Sequence, residues 1–359
     1  MRKEIYRLGS DEATALLERA PVVHVASTTA DGSPLLRTVH GVVRRGFVAF
    51  HGAPAGEKML AMGRPAVVSA EEVVAPIPSY FVDPERACPA TTYYRAAQVH
   101  GVLEPVTDAE EKADVLCALM DKYQPEGEHV PIAAHHPLYE KAIRGLLVVR
   151  VSLERIDGKA KLGQNRTPAE LGRILEQLWT RGGAGDPHAI EVVRAANPDA
   201  ETPRFLSQGA PAGVRLVCAL EASDADAAAA LLAREYWLTD VAGETIARAH
   251  LASSAWVGAR DEHGALVATA RAMSDGAMHA FVYDVCVAHA WRGRGLGLAV
   301  VRLLLDHPAV RKARSVRLTT RDAQALYTKL GFKDLLEAPL RPWPSTEMRL
   351  SRASARATQ

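Results

Sequence analysis

The stretch from Asp284 to Gly297, DVCVAHAWRGRGLG, constrains this chain more than any other. An apolar run over residues 281–288 has the length and β-branched content of a buried strand. It leads into a turn with glycine at 293, 295 and 297, and an apolar helical period then runs from 295 to 306. A strand, a glycine-rich turn and a helix N-terminus in that order present unobstructed backbone N–H groups to an anion, and the helix dipole adds to them. The pattern predicts a pyrophosphate site. It is not the dinucleotide fingerprint G-x-G-x-x-G, because Leu298 stands where the third glycine belongs. It is not a P-loop either, since no Gly-Lys-Ser/Thr follows.

At roughly 150 residues per domain, 359 residues suggest two domains, and the chain divides accordingly. Pro198, Pro203, Gly209, Pro211 and Gly213 punctuate a stretch without an apolar period. The reading is a first domain over 1–199, a linker over 200–212, a second domain over 213–350, and a disordered tail over 351–359. Residues 1–200 carry 23 basic against 26 acidic side chains, and the remainder 20 against 16, so the overall charge of +1 conceals two halves of opposite sign. Neither half is basic enough to expect nucleic-acid binding. With aromatics at 6%, a base-stacking platform is also disfavoured. No apolar run reaches membrane-spanning length, and residues 1–21 hold four acids and no secretory apolar core, so no membrane segment is expected. Four dispersed cysteines, at 88, 117, 218 and 286, suit a reducing cytoplasm and leave no metal site to expect.

In the second half the alternation of strands and helices predicts a mixed central sheet covered by helices: strands over 214–220, 255–259, 265–272, 281–288 and 316–320, and helices over 224–235, 295–306 and 322–330. The turn at Arg292, Gly293, Arg294, Gly295, Leu296 and Gly297, followed downstream by Leu318-Thr319-Thr320-Arg321-Asp322-Ala323, Leu326-Tyr327 and Gly331-Phe332, resembles the GNAT N-acetyltransferase family over residues 213–350. The resemblance implies that acetyl-CoA is the cosubstrate and a small-molecule amine the acceptor. The amides of residues 292–297 would hold the pyrophosphate, and the strand edge at Val285 and Val287 would meet the acetyl carbonyl. It also implies direct attack by the amine, with Tyr327 as acid to the departing thiolate. For the general base, Asp284 and Asp275 flank the strand and His289 follows it; Asp284 reads equally as that base or as a structural carboxylate. Cys286 reads as a small core residue rather than a nucleophile. Glu235, Tyr236, Trp237 and Trp256 are candidates to line the acceptor pocket.

The first half reads as α+β: a helix from Ser10, strands over 22–28, 34–43, 47–51, 66–74, 93–103 and 146–156, and helices over 108–123 and 168–179. Short turns at Asp31-Gly32 and Arg45-Gly46 mark an antiparallel meander. The run His51, Ala53, Gly56, Lys58, with Tyr93-Tyr94-Arg95 and the helix after Asp108, resembles the nitroimidazole-resistance branch of the pyridoxamine 5′-phosphate oxidase-like FMN-binding split barrel. Lys161-Leu162-Gly163-Gln164-Asn165-Arg166 resembles an element of a related flavin-binding branch that has serine in place of Gly163. The resemblance implies an antiparallel split barrel and a homodimer formed through it. FMN would be held by Arg37, Thr38 and Lys58 and faced by His51, with Lys161 and Arg166 as further phosphate contacts or solvated charges. Haem with His51 or His40 as ligand is the alternative cofactor, and a cofactor-free binding or regulatory module the alternative role. His100 and the pair His135-His136 read as structural. The fusion suggests consecutive steps on one compound, such as reduction of a nitro group followed by acetylation of the amine.

Overall fold

The computed structural model describes residues 4–55, 59, 61–207 and 209–335; the expected tail over 351–359 lies outside them. The chain forms two compact units, one up to residue 208 together with 217–220 and 307–309, the other 209–216, 221–306 and onward from 310.

The N-terminal unit begins with β1 (Arg7–Leu8), α1 (Ser10–Arg19), β2 (Val23–Thr28), β3 (Pro34–Val39), β4 (Val42–Arg44), β5 (Phe47–Gly52), β6 (Pro65–Ile77), β7 (Thr91–Val102) and β8 (Glu104–Val106). It continues through α2 (Ala109–Tyr123), α3 (Glu140–Gly145), β9 (Leu147–Ser152), β10 (Ile156–Lys161), α4 (Pro168–Arg181), α5 (Asp186–Ala196) and α6 (Arg204–Ser207). Its strands form a six-stranded sheet, β1-β10-β7-β6-β2-β3, and a four-stranded sheet, β4-β5-β9-β8. Every pairing is antiparallel. Helix α2 starts where Asp108 accepts the Glu111 amide at 2.8 Å, and it closes the small sheet with Val115 and Leu119 against Val42, Ala49, Val106 and Val148. Helix α4 has a complete capping box, Thr167 with Glu170, a first-turn Pro168, and left-handed Gly182 at its end.

Two expected strands are each divided. The run 34–43 breaks at His40-Gly41, because β3 pairs with β2 in one sheet and β4 with β5 in the other. Gly41 makes the corner possible: a Cβ there would lie 2.7 Å from Val23 Cγ2. The run 146–156 divides at residues 153–155 for the same reason, β9 joining the small sheet and β10 the large one. Helices α3, α5 and α6 fall in segments read as irregular, α6 within the expected linker.

The C-terminal unit has β11 (Val214–Val217), α7 (Ala225–Leu232), α8 (Gly243–Leu251), β12 (Ala255–Asp261), β13 (Leu266–Ser274), β14 (His279–Val287), α9 (Leu296–Asp306), β15 (Ser315–Arg317) and α10 (Gln324–Thr328). The sheet order is β11-β12-β13-β14-β15. It is mixed, antiparallel from β12 to β14 and parallel between β14 and β15. Beyond Phe281↔Arg317 the β14–β15 ladder ends, so the expected strand over 316–320 stops at Arg317. The last helix is shorter than expected for a related reason. Residues 318–323 leave the sheet as a loop, and Asp322 lies in that loop rather than at a helix cap. Helix α8 escaped the sequence reading because its charged and apolar residues alternate over barely two turns. Among the described residues no helix is long and apolar enough to cross a membrane.

Gly163, where the related pattern has serine, has φ +93°, and a Cβ there would sit 2.7 Å from Tyr93 Oη and 2.8 Å from Leu171 Cδ2. Tyr93 is itself fully buried and Leu171 belongs to α4, so neither can yield cheaply. Replacing Gly163 by serine is expected to lower unfolding stability by about 2 kcal/mol or more, measured by urea denaturation with an unchanged slope.

Candidate functional site

A cleft of the C-terminal unit, about 860 Å³, opens where β14 and β15 part. One wall is residues 282–287 of β14, whose outer edge has no strand partner past Phe281 among the described residues. The opposite wall is the loop after β15 and α10, including Leu318, Thr320, Ala323 and Tyr327. The glycine turn and the start of α9 also line it, as do Glu235, Tyr236 and Trp237.

The sequence-identified turn lies where expected. Gly293 and Gly295 hold φ of +75° and +85°, and a Cβ on either would have no neighbour within 4 Å, so their backbone faces open space. Helix α9 starts at Leu296, and its first-turn N–H groups have no intrahelical acceptor. Gly297 does something different. A Cβ there would meet Leu326 Cδ1 at 3.3 Å and Val287 Cγ2 at 3.6 Å, so its bareness lets α9 approach β14 and α10. Arg292, with its side chain half exposed, folds back on the turn, Nε donating to the Val287 carbonyl at 2.9 Å and Nη2 to Glu235 Oε1 at 2.5 Å. Arg294 lies over the Trp291 ring, 5.1 Å from its centroid.

Asp284 occupies a β-bulge. Thr269 pairs with Cys286 and Arg271 with Tyr283, so Asp284 and Val285 share one position opposite Ala270. Its φ is +50°, a conformation aspartate tolerates better than most residues. Oδ2 accepts Arg271 Nε at 2.6 Å and Oδ1 accepts Trp237 Nε1 at 3.2 Å. The Asp284 and Arg271 side chains are 9% and 13% exposed. The expected general base is therefore a carboxylate with both oxygens already engaged, a setting that suits positioning. Asp275 is occupied elsewhere: Oδ1 accepts the amides of Ala277, Met278 and His279, which hold its carboxyl below the usual range, and it does not line the cleft. His289 sits in a short 3-10 turn before the glycines.

The bulge also decides where Cys286 points. Val287 lies against α9 through Gly297, so Cys286 projects to the other face, into a cluster with Ala229, Leu232 and Ile246. Burial, reinforced by the Glu235 carboxylate, pushes its thiol up to about 12. Tyr327, on α10, is 9% exposed and reaches the cleft wall beside Leu326. Burial, with a smaller contribution from Tyr236, raises its phenol above the usual value, so it keeps its proton throughout the neutral range. Trp256 is not at the cleft. Its indole donates to Thr269 Oγ1 at 2.9 Å and packs against buried His250.

In the N-terminal unit the expected flavin residues are only partly brought together. Arg37 and Thr38 are neighbours on the edge strand β3 and face opposite ways. Arg37 borders a small apolar hollow of about 30 Å³ with Val25, Phe50, Ala61 and Met62, whereas Thr38 pairs with His24, Nδ1 to Oγ1 at 3.1 Å. His51 is exposed near the end of β5, in the other sheet. Lys58 lies outside the described residues. Lys161 donates to Thr91 Oγ1, and Arg166 contacts the Pro89 carbonyl and Glu170, so both serve the fold. His40 packs on Tyr123, His100 on Asp157, and His135 on Glu110. A cation above an apolar hollow fits a phosphate-bearing ring only as an open half-site, since the hollow is far too small to enclose a flavin.

Comparison with known proteins agrees with this division. Residues 9–160 match the family model for pyridoxamine 5′-phosphate oxidase, and residues 223–332 that for the acetyltransferase (GNAT) family. No curated protein matched the chain. Solved structures similar to the first half include a 5-nitroimidazole antibiotic resistance protein from Bacteroides thetaiotaomicron (18% identity, 42% of this chain and 84% of that one, TM-score 0.35). Another is an FAD and heme binding protein from Mycobacterium smegmatis (20%, 45% and 75%, TM-score 0.38). The second half is similar to an acetyltransferase of the GNAT family from Xanthomonas campestris (26%, 38% and 96%, TM-score 0.32).

The buried Cys286 thiol is expected to resist iodoacetamide in the native protein at pH 7.5, while exposed Cys88 is alkylated. Peptide mass mapping before and after denaturation checks this. Removing Asp284 with alanine leaves Arg271 buried without its partner and is expected to cost on the order of 3 kcal/mol of stability, read from chemical denaturation.

Proposed function

From a chain that joins a pyridoxamine 5′-phosphate oxidase-like domain to a GNAT-family domain, we propose that the C-terminal unit transfers the acetyl group of acetyl-CoA to a small-molecule amine. The observation that carries this reading is the cleft itself: an unpaired strand edge at Val285 and Val287, a helix N-terminus behind Gly293 and Gly295, and a protonated Tyr327 all line one space. The amides of Arg292, Gly293, Arg294, Gly295 and Leu296 bind the CoA pyrophosphate. Gly297 contributes by close packing. Arg292, anchored on Glu235 and Val287, holds the turn in shape. The β14 edge receives the acetyl carbonyl through backbone N–H groups that no neighbouring strand uses. The amine nitrogen attacks that carbonyl carbon, the C–S bond breaks, and Tyr327 gives its proton to the sulfur. Asp284 holds the bulge and the Trp237 indole in place.

The N-terminal unit is proposed to hold FMN at a half-site that a second copy completes. Arg37 supplies the cation, the Val25–Phe50 hollow the apolar contact, and His51 the approach from β5. When bound, the flavin would supply hydride transfer. A cofactor-free dimerisation module is the second reading, favoured by the smallness of the hollow and by the opposite faces of Arg37 and Thr38. The absorption spectrum of the purified protein separates the readings. Bands near 370 and 450 nm, about where flavins absorb, support FMN, an intense Soret band supports haem, and neither supports the module.

Tyr327→Phe is expected to lower kcat by about a hundredfold with little change in KM for acetyl-CoA. Because burial raises the phenol, wild-type activity is expected to keep its acid throughout the neutral range and lose it only in strong base, in a profile the variant lacks. Gly295→Val should weaken CoA binding at least tenfold by calorimetry, since a β-branched side chain resists positive φ and obstructs the amides.

A further inference from the structure

The cleft also constrains which amine can react. Its two ends differ. One is the glycine turn. The other, about 13 Å away along β14 at ~3.3 Å per residue, is built from Tyr236, Trp237, Tyr283 and Asp284. The three aromatic side chains there are 42%, 39% and 38% exposed, although large aromatic groups are usually covered. Tyr236 and Trp237 meet edge to face at 4.9 Å. The indole edge is pinned by its bond to Asp284, and Arg321 covers one face of Tyr236. These are held rings, not loose ones.

The charges tell against a cationic acceptor. Among the described residues lining the cleft, every carboxylate is matched to an arginine: Glu235 to Arg292 at 2.5 Å, Asp284 to Arg271 at 2.6 Å, Asp322 to Arg321 at 3.0 Å. Lys329 adds a further positive charge to the lining. An alkylamine is an ammonium ion at pH 7. It would enter a space whose lining carries no net negative charge, Glu235, Asp284 and Asp322 being offset by Arg292, Arg321 and Lys329, meet no carboxylate without an arginine partner to hold it, and find none to take the proton that must leave before nitrogen can attack. An amine attached directly to an aromatic ring is neutral at pH 7. Its lone pair is available without a base, its entry desolvates no charge, and its ring has the partly exposed Trp237 indole to lie against, Tyr283 being already stacked on Phe281.

Resting on the acetyltransferase reading above, we propose that the acceptor is a neutral primary aromatic amine bound against Trp237, between Tyr236 and Tyr283. Its nitrogen forms the N–C bond to the acetyl carbon as the C–S bond breaks. Tyr327 protonates the thiolate, the nitrogen loses its extra proton to water, and Tyr327 recovers its own from solvent. The products are the N-aryl acetamide and free CoA, with no oxidant or reductant required.

The test uses the full chain with acetyl-CoA and three acceptors: 4-methylaniline, 2-phenylethylamine and butylamine. Thiol release gives the rates and mass spectrometry the products. The expected result is a kcat/KM for 4-methylaniline at least tenfold above either alkylamine at pH 7. Its rate should change less than twofold from pH 6.5 to 8.5, because no base must be unmasked. Trp237→Ala should lower the preference at least fivefold, and Trp237→Phe, which keeps a ring, should restore most of it. Preference for either alkylamine, an unchanged preference in folded Trp237→Ala, or no turnover of 4-methylaniline by protein that binds acetyl-CoA in calorimetry would overturn the acceptor class alone. Failure to bind acetyl-CoA would remove the acetyltransferase reading itself and this inference with it.

Discussion

The buried pair between Arg271 and Asp284 is the interaction on which the C-terminal site depends. It is short, 2.6 Å, and both side chains are largely withdrawn from water, so its two charges are worth keeping together and costly to separate. It spans β13 and β14 at the bulge, where two residues of β14 stand against one of β13. A bulge exchanges the faces of a strand. Before it, Val282 pairs with Ala272; after it, Cys286 pairs with Thr269 and points among α7 and α8, while Val287 turns to α9. The strand that delivers the glycine turn is thereby re-aimed within three residues. The same carboxylate holds the Trp237 indole, so the backbone distortion and the aromatic end of the cleft share one anchor.

Parting of β14 from β15 supplies the other requirement. Strand edges are normally covered, because each unpaired N–H and C=O is an invitation to another chain. Here the ladder is only three residues long, and beyond it both segments line a cleft instead of continuing the sheet. The exposed edge is thus recessed, protected from other strands yet open to an extended ligand. Helix α9 begins beside it, and Gly297 lets the helix come close enough to share the space. An anion-binding helix end and an amide-bearing strand edge facing one cavity form a combination that a thioester carrying a pyrophosphate can use at both ends.

The N-terminal unit rests on a different constraint, the sharing of one chain between two antiparallel sheets. At the corner between β3 and β4 side-chain volume is limited, Gly41 passing Val23 at a distance no Cβ allows; Gly163, between β10 and α4, passes Tyr93 and Leu171 as closely. The phenol of Tyr93 is consequently sealed, and its burial pushes it up to about 12. The edge strand β3 ends this arrangement with an exposed outer face, Leu36 being 63% exposed.

Much of this was legible in the amino-acid order alone. The glycines at 293 and 295, the apolar strand before them and the helical period after them specify a strand, an open glycine turn and a helix start, because backbone freedom and hydrophobic period are local properties. Capping at Asp108 and Thr167 is local too, and those helix starts were read to within a residue. The sequence also marked Glu235, Tyr236 and Trp237, which do reach the cleft, alongside Trp256, which does not. What a linear reading could not decide is anything set by a partner distant in the chain. Residues 34–43 and 146–156 read as single strands because nothing local announces a change of sheet. Arg37 and Thr38 read as one phosphate clamp, but strand pleating turns them apart. Asp284 read as either a base or a structural carboxylate; only the folded sheet brings Arg271 across to it. Local sequence determined where the backbone turns through glycine into a helix start. Tertiary structure decided which charges are already spent, because an ion pair exists only between residues that folding has brought together.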